Sequence, residues 1–142
     1  MPDRADPEEN EALFEWPSPP EDIPRWALKE ASPWRDLDDF NLLALAEETC
    51  GRIVELIQVS LPETLWGLHI ARGRRARIYV NRQLPRIWRR FSMFHELYHL
   101  LHHTRGEAFW SGTATPMTSF EHQADMFAWA AIHREWIEGS AP

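Results

Sequence analysis

Residues 95–99 of the 142-residue chain read His-Glu-Leu-Tyr-His, and that order of side chains has a specific chemical use. On an α-helix, residues four apart differ by about 40° in azimuth and one turn in height, so His95 and His99 can direct both imidazoles at one metal ion. Glu96 projects beside them, where its carboxylate can take a proton from metal-bound water. The chemistry so encoded is zinc-assisted hydrolysis. The chain has one cysteine, Cys50, which rules out an intrachain disulfide and a thiolate cage, so a metal must be held by His and carboxylate. A catalytic zinc takes three protein ligands and keeps one position open. The third donor must therefore come from another element, and Glu121, opening the segment Glu-His-Gln-Ala-Asp-Met-Phe-Ala, is on offer.

Two uses compete for the Glu121 carboxylate: ligating the metal, or closing a capping box with Thr118. His122 is the alternative ligand, about 100° further round the helix. Asp125, one turn after Glu121 and flanked by Ala124, Phe127 and Ala128, is placed to orient a ligand histidine. His102 and His103 prolong the histidine run. A fourth protein ligand would close the site, so His103 reads as a supporting donor or a cation at the helix C-terminus. His69 and His133 read as structural or surface residues, Cys50 as buried and inert, and Tyr79 and Trp110 as core or loop aromatics. Tyr98, His103 and the arginines are the groups available to stabilise an oxyanion.

The elements that must position these residues follow from periodicity. A helix is predicted over Asp36–Cys50, with Leu37, Phe40, Leu43 or Ala44, and Glu47 at helical spacing, acids in its first turn and Gly51 to end it. Three strands are predicted at 53–59, 65–71 and 75–81. The second puts Trp66, Leu68 and Ile70 on one face; the third puts Ala76, Ile78 and Val80 on one face and Arg75, Arg77 and Tyr79 on the other. The short link between these two suits a hairpin. A helix starts near Pro85, a residue favoured at the first helical position, and runs to about His103 with Ile87, Phe91, Phe94, Tyr98 and Leu101 as its apolar stripe. The last helix spans about Thr118 to Glu138. Helix, three strands and two helices make an α+β domain.

Composition sets the outer bounds. Fifteen Lys+Arg against 22 Asp+Glu leave a net charge of −7, which argues against direct nucleic-acid binding. No apolar run reaches the roughly 20 residues of a membrane span, and the N-terminus lacks a signal peptide's pattern, so a cytoplasmic protein is expected. Residues 1–50 hold 14 acids and 4 bases, whereas Arg72, Arg74, Arg75, Arg77, Arg82, Arg86, Arg89 and Arg90 crowd one short window. That cluster reads as a solvated face paired with the chain's own acids. Seven of the 11 prolines fall in the first 33 residues, so residues 1–35 read as an acidic, Pro-rich arm, partly disordered or docked through its tryptophans, and 36–142 as one domain.

The run His-Glu-Leu-Tyr-His-Leu-Leu-His-His, followed some 20 residues later by Glu-x-x-Ala-Asp-x-Phe-Ala, resembles the ImmA/IrrE family of metallo-endopeptidases over roughly residues 36–138. Asn81 resembles that family's usual strand end before the HExxH helix. The resemblance implies a minimal zincin-like domain of the gluzincin type, one zinc ion held by His95, His99 and Glu121, and Glu96 as catalytic base. It further implies a helix-turn-helix transcriptional repressor as substrate, encoded nearby. Some relatives instead resemble the toxin half of a pair with such a regulator. The alternative expectation is thus a zinc-stabilised toxin or anti-repressor module that binds an antitoxin-like partner without cutting it. Tyr98 departs from the small residue common in the family, and the acidic arm has no counterpart there.

Overall fold

The computed structural model describes residues 18–102, 108–113 and 122–140, the backbone alone at 108–113 and 139–140. The chain enters through a short helix, α1 (Arg25–Ala31), and a 3-10 turn (Ser32–Trp34). Helix α2 (Asp39–Cys50) opens on Asp38, whose Oδ1 accepts from the Asn41 N–H at 2.8 Å, and ends at Gly51 with φ 72°. That is the left-handed conformation glycine adopts without a Cβ penalty. Strands β1 (Ile53–Val59), β2 (Gly67–Arg72) and β3 (Arg75–Asn81) lead to helix α3 (Arg86–His102), then strand β4 (Ala108–Thr113) and helix α4 (His122–Ser140).

Among the described residues the domain is α+β with four helices, and its sheet has four strands in the order β1-β3-β2-β4. The expectation of three strands is corrected by β4, which pairs antiparallel with β2. Its sequence, Ala-Phe-Trp-Ser-Gly-Thr, has too little apolar alternation to read as a strand by itself, and the pairing comes from the open edge of β2. The β2–β3 hairpin forms as expected, while β1 runs parallel to β3 and not beside β2. Asn81 closes this arrangement. Its Nδ2 donates towards the carbonyls of Leu61, Pro62 and Leu65, and its Oδ1 accepts from the Gln83 N–H at 3.0 Å, fixing the β1–β2 connection to the end of β3.

Helix α3 lies between the sheet and α4, and α1 packs on α4. Being covered on two sides, α3 buries Trp88, Phe91 to Tyr98 and Leu100, a far wider surface than one stripe. Its first half sits in an aromatic cluster, with Trp88 5.7 Å from Trp66, 5.7 Å from Trp129 and 5.3 Å from Trp136 between ring centroids.

Residues 25–34, within the stretch read as an arm partly disordered or docked, supply Ala27, Ala31 and Trp34 to the core. Within it, Arg-Trp-Ala-Leu-Lys-Glu-Ala is a run of helix formers between proline-imposed boundaries. Arg35 Nε donates to the Ala130 carbonyl at 3.2 Å and Glu30 pairs with His102, tying this segment to α4 and α3. Residues 1–17 lie outside the described residues. In α2 the core side is Leu42 and Ala46, and Phe40 is 80% exposed. Both stripes are apolar at helical spacing, and the surface of β1 and α3 selects one of them. In β2 the face turned to α3 is Gly67, His69 and Ala71, while Ile70 is exposed. At Gly67 the helix comes so close that no side chain fits between it and the strand.

Candidate active site

The local cause of the site is the first turn of α3. Pro85 holds the turn that starts it, its carbonyl accepting from the Trp88 and Arg89 N–H groups at 3.0 and 2.9 Å. From that start, Ser92, His95, Glu96 and His99 fall on adjoining strips of the same helix. His95 and Glu96 are completely buried and His99 is half-buried at the rim. The His95 and His99 ring centroids are 5.0 Å apart, 70° between planes.

Helix α4 reaches the site through Asp125. Its Oδ1 lies 2.8 Å from His95 Nδ1, with both groups buried. The two groups are at ion-pair distance without the alignment of a hydrogen bond; a small turn of the ring would direct Nδ1–H at the carboxylate and leave Nε2 with the lone pair that binds metal. Asp125 is itself buried, so its carboxylate needs a polar group nearby, and His95 stands within reach of it.

Strand β2 reaches the site through Gly67 and His69. A β-carbon at Gly67 would lie 2.5 Å from Ser92 Oγ and 3.4 Å from Glu96 Cγ, so strand and helix meet at backbone distance. His69, read from sequence as structural or surface, is not at the surface but buried beside the glutamate: its Nδ1 is 2.6 Å from Glu96 Oε1. Its ring also stacks on His99, 5.6 Å between centroids. No local signal marks His69, because the contact joins residues 27 apart in sequence. The other oxygen, Glu96 Oε2, is buried with no hydrogen-bond partner among the described residues.

The structure thus brings together His95, Glu96, His99 and Asp125, and adds His69. Glu121, His103 and Thr118 lie outside the described residues. Among the described residues no three His, Cys, Asp or Glu side chains form a complete metal-holding group. The donors present nonetheless fit a borderline cation such as zinc. Two imidazoles adjoin on one helix, and a buried carboxylate keeps one oxygen unmatched, a costly arrangement unless a ligand completes it. His122 and His133 are exposed. Tyr98 belongs to the core, 5.2 Å from Phe127 and 6.2 Å from Trp26 between ring centroids. Burial, with the Glu30 carboxylate nearby, pushes its hydroxyl above the usual phenol range, so at neutral pH it is a neutral group. Cys50 is half-buried. Arg75 and Arg77 pair with Glu55 at 3.8 and 3.4 Å, and Arg90 with Glu135 at 2.8 Å.

Fold and site together define an α+β domain built round a buried HExxH helix. The chain belongs to the family of IrrE N-terminal-like domains, the ImmA/IrrE peptidases, whose family model matches residues 56–133. That span runs from β1 into α4 and contains His69, His95, Glu96, His99, Glu121 and Asp125. No curated protein and no solved structure matches the chain. Among the described residues no helix is long and apolar enough to cross a membrane.

Proposed function

We propose that the protein is a cytoplasmic zinc-dependent endopeptidase of zincin-like fold that cleaves a helix-turn-helix transcriptional repressor and so relieves repression. The observation that carries this reading is Glu96: fully buried beside His95 and His99, with one oxygen tied to His69 and the other without a partner among the described residues. A carboxylate kept for structure has both oxygens satisfied, and one kept for proton transfer needs an oxygen in reserve. His95, His99 and Glu121 would hold the ion, which when bound acidifies water and polarises a scissile carbonyl. Asp125, 2.8 Å from His95 Nδ1, is placed to hold the His95 ring in its ligating tautomer once the ion is bound. Glu96 Oε2 takes the proton of the attacking water and returns it to the leaving amine.

The repressor as substrate rests on family membership. Co-expression of the chain with the helix-turn-helix regulator encoded beside it, followed by intact-mass analysis of that regulator, tests the proposal. Cleavage by wild type and none by Glu96→Gln is the expected result. A regulator bound but left whole by wild-type, zinc-loaded protein would replace the peptidase with a sequestering toxin or anti-repressor.

A further inference from the structure

His69 arrives at the site from the sheet, not from either helix of the motif, and it is 3% exposed. Its position is held from several sides. The strand register sets it opposite Ile78 of β3 and Ser111 of β4, and the missing Cβ of Gly67, two residues earlier, lets β2 close on Ser92 and Glu96. The imidazole then spans two residues of α3, with Nδ1 2.6 Å from Glu96 Oε1 and its ring 19° from parallel with that of His99. The contact that His69 Nδ1 makes is with the Glu96 carboxylate, and among the described residues no three His, Cys, Asp or Glu side chains form a metal-holding group. Glu96 has flexible torsions whose freedom must be removed before one oxygen faces the chemistry.

We propose that His69 is a positioning residue for Glu96. Its Nδ1–H donates to Oε1 and fixes the carboxylate, so that Oε2 is the oxygen that accepts and returns the proton. The inference rests on the peptidase reading and adds to it a residue outside the HExxH segment. It also accounts for an asymmetry that the motif alone does not require: among the described residues, one oxygen of the glutamate is matched and one is not.

The test uses the full chain as wild type, His69→Leu, His69→Asn, Glu96→Gln and the double variant His69→Leu/Glu96→Gln. Asn keeps an N–H donor near the place of Nδ1, whereas Leu keeps only bulk. Zinc stoichiometry and affinity are read by chelator competition, and acetohydroxamate binding by titration of the zinc-loaded protein. A hydroxamate chelates the metal and passes a proton to an adjacent carboxylate, so its affinity reports how that carboxylate is aimed. The proton spectrum of the metal-free protein supplies a readout independent of zinc, since a short buried Nδ1–H bond to a carboxylate resonates far downfield.

Wild type should show the downfield proton and His69→Leu should lose it. His69→Leu should keep zinc affinity within about threefold and bind acetohydroxamate about tenfold more weakly, ~1.4 kcal/mol. His69→Asn should recover most of that loss. In the Glu96→Gln background His69→Leu should have no further effect, because the histidine acts through the glutamate. Unchanged hydroxamate affinity at full zinc content would overturn the positioning role and leave the peptidase reading standing. Equal damage by Leu and Asn, with zinc affinity lowered alike, would overturn it in favour of a structural role. Wild type that takes up no zinc would overturn the peptidase reading and this role together.

Discussion

Gly67 and Ser92 meet without room for a methyl group: a Cβ on Gly67 would stand 2.5 Å from Ser92 Oγ and 2.9 Å from the Tyr79 carbonyl oxygen. The hydroxyl can turn aside, but the carbonyl belongs to the backbone of β3 and cannot. Gly67→Ala should therefore cost ~1–3 kcal/mol of stability, the usual penalty of overpacking. Adding Ser92→Ala should recover only part of it, because the Tyr79 contact remains. Denaturant melts of the three proteins give the comparison, and a neutral Gly67→Ala would refute the close approach of β2 to α3.

Zinc should bind in a 1:1 ratio. His99→Ala should lose the metal and Glu96→Gln should retain it, since Glu96 is assigned to protons and not to coordination. In a metal-loaded crystal structure, donor atoms of His95, His99 and Glu121 are expected about 2.0–2.2 Å from the ion. A carboxylate of Glu121 turned away from the metal would remove it from the ligand set and leave His122 or the Thr118 capping box in its place.

Asp125→Asn preserves shape and removes charge next to His95. Loss of the carboxylate should lower zinc affinity roughly 10–100-fold while leaving the fold intact, as for other partners that orient a ligand histidine. Chelator competition alongside far-ultraviolet circular dichroism separates the two. Affinity equal to wild type would mean that the 2.8 Å contact has no bearing on the metal.

Aromatic residues in the N-terminal third of the described chain should differ sharply in cost. Trp34 is buried against Phe127, 6.5 Å between ring centroids, and Trp34→Ala should cost ~3–5 kcal/mol. Phe40 is exposed, and Phe40→Ser should stay within about 0.5 kcal/mol of wild type. Thermal melts of both variants measure this directly. A cheap Trp34→Ala would show that the 3-10 turn is not anchored on α4.

Spacing within single elements was enough to foresee part of this molecule. His95, Glu96 and His99 share one helix because 3.6-residue periodicity and Pro85 act within a few residues of the motif. The alternation of β3, with Ala76, Ile78 and Val80 inward, and its hairpin with β2 are equally local. Which face of an element is buried is a different kind of question, since it depends on what comes to lie against it. Helix α2 carries two apolar stripes, and packing chose Leu42 and Ala46 over Phe40. Strand β2 turns Gly67, His69 and Ala71 inward against the apolar preference of Leu68 and Ile70, and at Gly67 α3 approaches too closely for any side chain. That same approach carries His69 to Glu96. Hydropathy along the chain encodes periods, but a contact between residues 27 apart exists only once strand and helix have docked, so the partner of the glutamate was decided by tertiary structure alone.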